Sequence, residues 1–196
     1  MLTKGGILMV PISFCSVLAL GIVLERLFNL RHRRIVRMDI LQRVEDLLRD
    51  KKIHEATTLC KRYQSAMTRI LYAAILNHDL EKPEIKEIIE DAGRQEVPSL
   101  ERYLSILGTI ANISPLLGLL GTVFGIMRVF LVITSQGVGH PQAMAGGISE
   151  ALITTAAGLS VAIPALVFHS YFMNKANLLV LEMEKNALKM LNILKR

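Results

Sequence analysis

Residues 103–127 read YLSILGTIANISPLLGLLGTVFGIM and residues 151–174 read ALITTAAGLSVAIPALVFHSYFMN, and neither run contains a charged side chain. A helix rises about 1.5 Å per residue, so about 20 such residues cover a hydrocarbon core of about 30 Å. A third uncharged run occupies residues 5–24. The chain has 196 residues, of which 52% are hydrophobic and only 20% charged, a balance too apolar for an ordinary soluble domain. These runs predict an all-α integral membrane protein with three transmembrane helices, built to pack against partner helices.

Charge sets the expected topology. Of 23 Lys and Arg, fifteen fall in residues 31–102 and five after Asn174, whereas the stretch before the first run offers only Lys4 and the short outer loop at 135–142 offers none. Cytoplasmic loops carry the excess of Lys and Arg. The expected layout is therefore an outer N-terminus with transmembrane helix 1 (1–30), a cytoplasmic helical segment (31–102), transmembrane helix 2 (103–134), a short outer loop (135–142), transmembrane helix 3 (143–174) and a cytoplasmic C-terminal helix (175–196). Arg31, His32, Arg33 and Arg34 follow the first run instead of preceding it, so it reads as a retained anchor and not a cleaved signal. The formal charge of +6 is a topology signal, since no aromatic residues are interleaved with the basic ones to stack bases; no nucleic-acid partner is expected. Cys15 and Cys60 lie on segments separated by the membrane surface and are not expected to pair.

Within 31–102, Asp39 is a candidate cap for a helix whose apolar side repeats at Ile40, Leu41, Val44, Leu47 and Leu48. Helices over 54–63 and 66–77 follow. A break at 79–83 precedes a polar helix that opens at Glu84 and runs through Arg102 straight into transmembrane helix 2, with Pro98 a candidate kink. After transmembrane helix 3, Leu179, Met183, Ala187, Met190 and Leu194 mark one stripe of a helix that leaves the membrane without a break and packs on the cytoplasmic helices.

Transmembrane helices 2 and 3 differ from the first, which is rich in Leu, Ile and Val. Ala111, Pro115, Gly118, Thr122 and Gly125 share one face, Gly121 and Gly125 form a GxxxG pair, and Ala151, Thr155, Gly158 and Ala162 form a second small face, with Pro164 a further packing position. Small residues let helix backbones approach closely in lipid. Glu150 is the one carboxylate inside the spans, at a cost of about 2.5 to 3.5 kcal/mol on insertion scales, so it should face a protein-lined or watery interior. Either a structural or an ion-handling role meets that demand. Thr122 and Thr155 sit near mid-depth, where a hydroxyl serves an ion pathway or satisfies a backbone carbonyl. Arg128 is expected to snorkel to the interface, with a headgroup, a partner carboxylate or Glu150 as its possible counter-ions. There is no GxSxG, HExxH or GxxxxGK[ST], and His140 and His169 are too scattered for a metal cluster. Neither an enzyme nor a cofactor is expected.

The run at 104–131 with its SPLLGLLGTVFGIM core, and the run GGISEALITTAAGLSVAIPALV at 146–167, resemble the MotA/TolQ/ExbB proton-channel family, and the ExbB/TolQ branch most closely. That resemblance implies a multi-pass bacterial inner-membrane stator subunit, with a periplasmic N-terminus and a cytoplasmic C-terminus. It implies a ring-shaped homopentamer around the membrane helices of ExbD- or TolR-like single-span chains. Proton flow would then energise a TonB- or TolA-like protein for outer-membrane transport or envelope maintenance. Thr122 and Thr155 match the family's pore-facing threonines and Glu150 its glutamate, while Thr154 beside Thr155 leaves a sodium-coupled variant open. A non-conducting scaffold is the alternative. The resemblance also implies that an ExbD-like partner supplies the membrane aspartate, since Glu150 is too shallow for a mid-membrane relay.

Overall fold

The computed structural model describes residues 5–30, 35–137 and 141–195, and among them the chain forms seven α-helices: α1 (Met9–Asn29), α2 (Met38–Arg49), α3 (Ile53–Arg62), α4 (Ala66–Leu76), α5 (Lys82–Leu100), α6 (Leu104–Gln136) and α7 (Pro141–Leu194). The expectations placed on Lys4, Arg31, His32, Arg33, Arg34, His140 and Arg196 lie outside the described residues. Met9–Asn29, Leu104–Ser135 and Met144–Leu194 are each long and apolar enough to cross a membrane. The chain divides into two units. The first holds the described residues up to Glu25 with Tyr103–Tyr171, and the second holds those of Arg26–Arg102 with Phe172–Arg196.

In the first unit, small residues supply much of the buried surface and many large ones face outward. Ala111, Ser114, Ala151, Thr154 and Ala162 are buried, while Leu116, Phe130, Leu152 and Ile163 are each more than half exposed. A water-soluble core would reverse this arrangement, but in lipid large apolar side chains lose nothing by facing outward and close backbone packing drives association.

The second unit has an ordinary apolar core. The stripe expected on the last helix, Leu179, Met183, Ala187 and Met190, is buried in one cluster with Ile40 and Val44 of α2, Ile70 and Leu71 of α4, and Ile85 and Ile89 of α5. Each fully buried side chain of this size contributes about 1.5 to 3 kcal/mol relative to exposure. Arg69 of α4 and Glu96 of α5 add an ion pair, with Nε donating to Oε1 at 2.6 Å.

Three local expectations need correction. Asp39 is not the N-cap of α2: the helix starts at Met38 with Arg37 ahead of it, which places Asp39 inside the first turn, where its carboxylate accepts from the Arg37 guanidinium at 3.2 Å. Helix α5 opens at Lys82, not Glu84, because a proline is tolerated in the first turn, where amides have no helical partner. Here Glu84 accepts from the Glu81 amide at 2.9 Å. Nor does α5 run on into α6. It passes through Pro98, stops at Leu100, and the chain takes a left-handed turn at Tyr103 (φ +64°) before α6 begins. In an unbroken helix the Leu100 carbonyl would accept from the Leu104 amide. Instead it accepts from the buried guanidinium of Arg26 at 3.1 Å, a cation placed where a helix C-terminus favours one.

Glu45 of α2 joins α7 through Lys189 (2.7 Å) and also holds Arg49 (2.7 Å). Hydrogen bonds from Lys189 first, and then Arg49, hold its carboxyl below the ordinary 4.5. A depressed carboxylate pKa contributes stability above the unfolded value and loses it as pH falls through the folded one. Unfolding followed by circular dichroism should therefore show Glu45→Gln costing roughly 1 kcal/mol or less at pH 7. The variant should lose less stability than the parent on acidification below the ordinary carboxylate value; identical acid limbs would contradict the linkage.

Candidate functional site

Helices α6 and α7 meet along the two small faces. On α6 the buried positions Leu107, Ala111, Ser114, Gly118, Gly121 and Gly125 alternate spacings of four and three, the pattern of a helix–helix seam. On α7, Gly147, Ala151, Thr154, Gly158, Ala162 and Ala165 form the matching stripe. A Cβ added at Gly158 would lie 2.5 Å from the Ser114 carbonyl oxygen and 3.1 Å from Gly118 Cα. One added at Gly118 would lie 3.0 Å from Thr155 Cα, and one at Gly125 2.7 Å from both Ala151 Cβ and the Gly147 oxygen. Gly121 faces the Thr154 side chain. The two backbones thus touch, and the small faces read from the sequence as suited to partner helices close on each other within one chain. Pro115 is half-buried beside this seam, whereas Pro164 falls between the stripe positions Ala162 and Ala165 and is exposed, on the rim of a groove shared with Ser16 and Ala19 of α1.

Both mid-depth threonines flank the seam and are half-buried. The Thr155 hydroxyl donates across it to the Gly118 carbonyl at 2.9 Å, the same oxygen an α-helix pairs with the amide of Thr122. The Thr122 hydroxyl donates to Leu119 of its own helix at 2.6 Å. Thr155 and Thr122 are therefore brought to one turn of α6, each satisfying a carbonyl. Ser114, fully buried in the seam, has a hydroxyl with no hydrogen-bond partner.

Thr154 differs from Thr155. It is 1% exposed, and its single proton is shared between the carbonyls of Glu150 (2.7 Å) and Gly5 (2.9 Å). Glu150 accepts from Arg128 Nη1 at 2.7 Å. The sequence favoured interfacial snorkelling for Arg128; the structure pairs it with Glu150, since positions 128 and 150 fall on facing turns of α6 and α7. The Gly5–Gly6 turn had no signal in the sequence beyond its two glycines.

Elsewhere the chemistry is quiet. His169 lies against α6 at Gly108, where an added Cβ would come 2.9 Å from Nε2. Among the described residues no group of three or more His, Cys, Asp or Glu can hold a metal ion. Cys60 is buried in the second unit, and burial pushes its thiol up to about 11, which keeps it from acting as a thiolate.

Comparison with known proteins bears on this arrangement. The family model described as the MotA/TolQ/ExbB proton channel family matches residues 62–185. The chain is 35% identical over 178 residues to the ExbB-like 3 biopolymer transport protein of Synechocystis sp., covering 86% of this chain and 81% of that one. To biopolymer transport protein exbB1 of Vibrio cholerae it is 31% identical over 173 residues, 82% of this chain and 72% of that one. To the Tol-Pal system protein TolQ of Haemophilus influenzae it is 42% identical over 86 residues, 44% of this chain and 38% of that one.

Proposed function

The chain belongs to the MotA/TolQ/ExbB proton channel family, in its ExbB/TolQ branch, and on that premise we propose that it is an inner-membrane motor subunit working with an ExbD- or TolR-like single-span partner. It is a membrane protein with three helices able to span. In the proposed assembly five copies surround the partner's membrane helices, residues 31–102 and 175–196 face the cytoplasm, and ion flow down the proton motive force energises a TonB- or TolA-like protein.

One observation carries this reading. Glu150 is the only carboxylate in residues 103–174, and it is already engaged by Arg128. A proton relay needs a titratable group free to change charge, so the carboxylate that cycles has to come from another polypeptide. Thr122 and Thr155, drawn to the same turn of α6, are the positions we assign to the pathway facing that group. Protons are favoured over sodium because Thr154, whose hydroxyl would complete an oxygen-rich site beside Thr155, is closed off against Gly5.

The test is flux in liposomes. Purified chain alone should dissipate an imposed pH gradient slowly, and co-reconstitution with its partner should raise the rate about tenfold or more, equivalent to roughly 1.4 kcal/mol on the limiting barrier. Equal rates with and without the partner would reject the motor, and absence of flux in both would favour the non-conducting scaffold. A rate that follows a sodium gradient instead would favour the sodium-coupled form.

A further inference from the structure

Two residues one helical turn apart on α7 lie against two consecutive residues ahead of α1. Thr154 donates to the Gly5 carbonyl at 2.9 Å. Glu150, one turn away, spends one carboxylate oxygen on Arg128 and lays the other over Gly6, where an added Cβ would fall on Oε1 and only 3.1 Å from Cδ. Gly6 has φ +68°, in the left-handed region that favours glycine, so conformation and space both exclude a side chain there. Glu150 is 24% exposed and Arg128 69%, so the carboxylate is the enclosed member of the pair. Removing Arg128 would leave the part-buried carboxylate without its counter-ion, and that dependence fixes its geometry.

We propose that Arg128, Glu150 and Thr154 form a latch that seats the Gly5–Gly6 turn, and with it the start of α1, on α7. Glu150 is then a positioning residue and not an ion carrier: Arg128 on α6 orients its carboxylate, and the carboxylate and the Thr154 hydroxyl together hold the turn. The latch concerns contacts within this chain, so it stands or falls separately from conduction.

The experiment places a nitroxide at Ile7, which is 81% exposed and tolerates a label, using Ile7→Cys in the full chain with Cys15→Ser and Cys60→Ser, reconstituted in phosphatidylcholine–phosphatidylglycerol nanodiscs. The parent should give a predominantly immobile spectrum. Glu150→Gln, Thr154→Val and Gly6→Val, each retaining its helical circular dichroism, should shift the label to a predominantly mobile one. Thr154→Ser, which keeps the hydroxyl, should retain the immobile form, an outcome that general loosening of the helix would not give. Should a charge variant fail to fold, the Thr154→Val and Thr154→Ser pair decides alone. A spectrum unchanged in any folded member of the first three, or a Thr154→Ser variant as mobile as Thr154→Val, overturns the latch.

Discussion

Gly158→Val is expected to abolish the folded form of the first unit, so that the variant elutes as aggregate from detergent solution while the parent elutes as a single species. The added Cβ would meet the Ser114 carbonyl oxygen at 2.5 Å and Gly118 Cα at 3.1 Å. Both are backbone atoms and cannot swing aside, so the helices must separate along the seam. Overpacking typically costs about 1 to 3 kcal/mol where side chains can give way, and here the cost lies at or above that upper end. Such a loss is a large part of a total stability of roughly 5 to 15 kcal/mol. Separation would also break the Thr155 bond to Gly118. Gly21→Ala is the control, because nothing lies within 4 Å of a Cβ there. It should leave elution unchanged. If Gly158→Val eluted and unfolded like the parent, the backbone contact between α6 and α7 would be wrong.

Thr155→Val tests function at almost constant packing. The two side chains have nearly the same shape, and the Gly118 carbonyl that loses the hydroxyl keeps its place in the α6 ladder. Stability should fall by only about 1 kcal/mol. Flux through the complex with the partner should fall about tenfold or more, because Thr122 alone would then remain at this turn to donate to or order water beside the partner's carboxylate. Thr155→Ser should keep most of the flux. Conduction undiminished in Thr155→Val would remove this residue from the pathway, and with it the reason for placing the pathway along the seam's edge. The paired variants matter because Thr155 now satisfies a carbonyl, the commoner use of a threonine in a membrane helix.

Much of this architecture was legible in the chain. Three uncharged runs marked α1, α6 and the membrane part of α7. Helices expected over 54–63 and 66–77 correspond to Ile53–Arg62 and Ala66–Leu76, because apolar periodicity and polar breaks are local signals. Leu179, Met183, Ala187 and Met190 were readable as a buried stripe for the same reason. The α5–α6 junction was not, since the group that takes the Leu100 carbonyl is Arg26, 74 residues away. Glu150 was recognisable as a residue needing a partner, and Arg128 stood among its candidates. Its contact with Gly6 was not recognisable, because nothing local in a Gly-Gly pair says which distant carboxylate will lie over it.

By itself, the sequence determined that this is a membrane protein with three helices long and apolar enough to span, that two of them are lined with small residues, and that its one carboxylate between residues 103 and 174 has to be compensated. Each of these follows from how single side chains partition between water and hydrocarbon, a property every residue carries wherever the chain folds. Only the tertiary structure decided that Gly118 and Gly158 spend their smallness on each other, that Thr155 reaches Gly118, and that Glu150 is shared between Arg128 and the turn before α1. Those are choices between partners of similar chemistry, and they depend on which turns of separate helices come within about 3 Å, a distance that hydropathy does not encode.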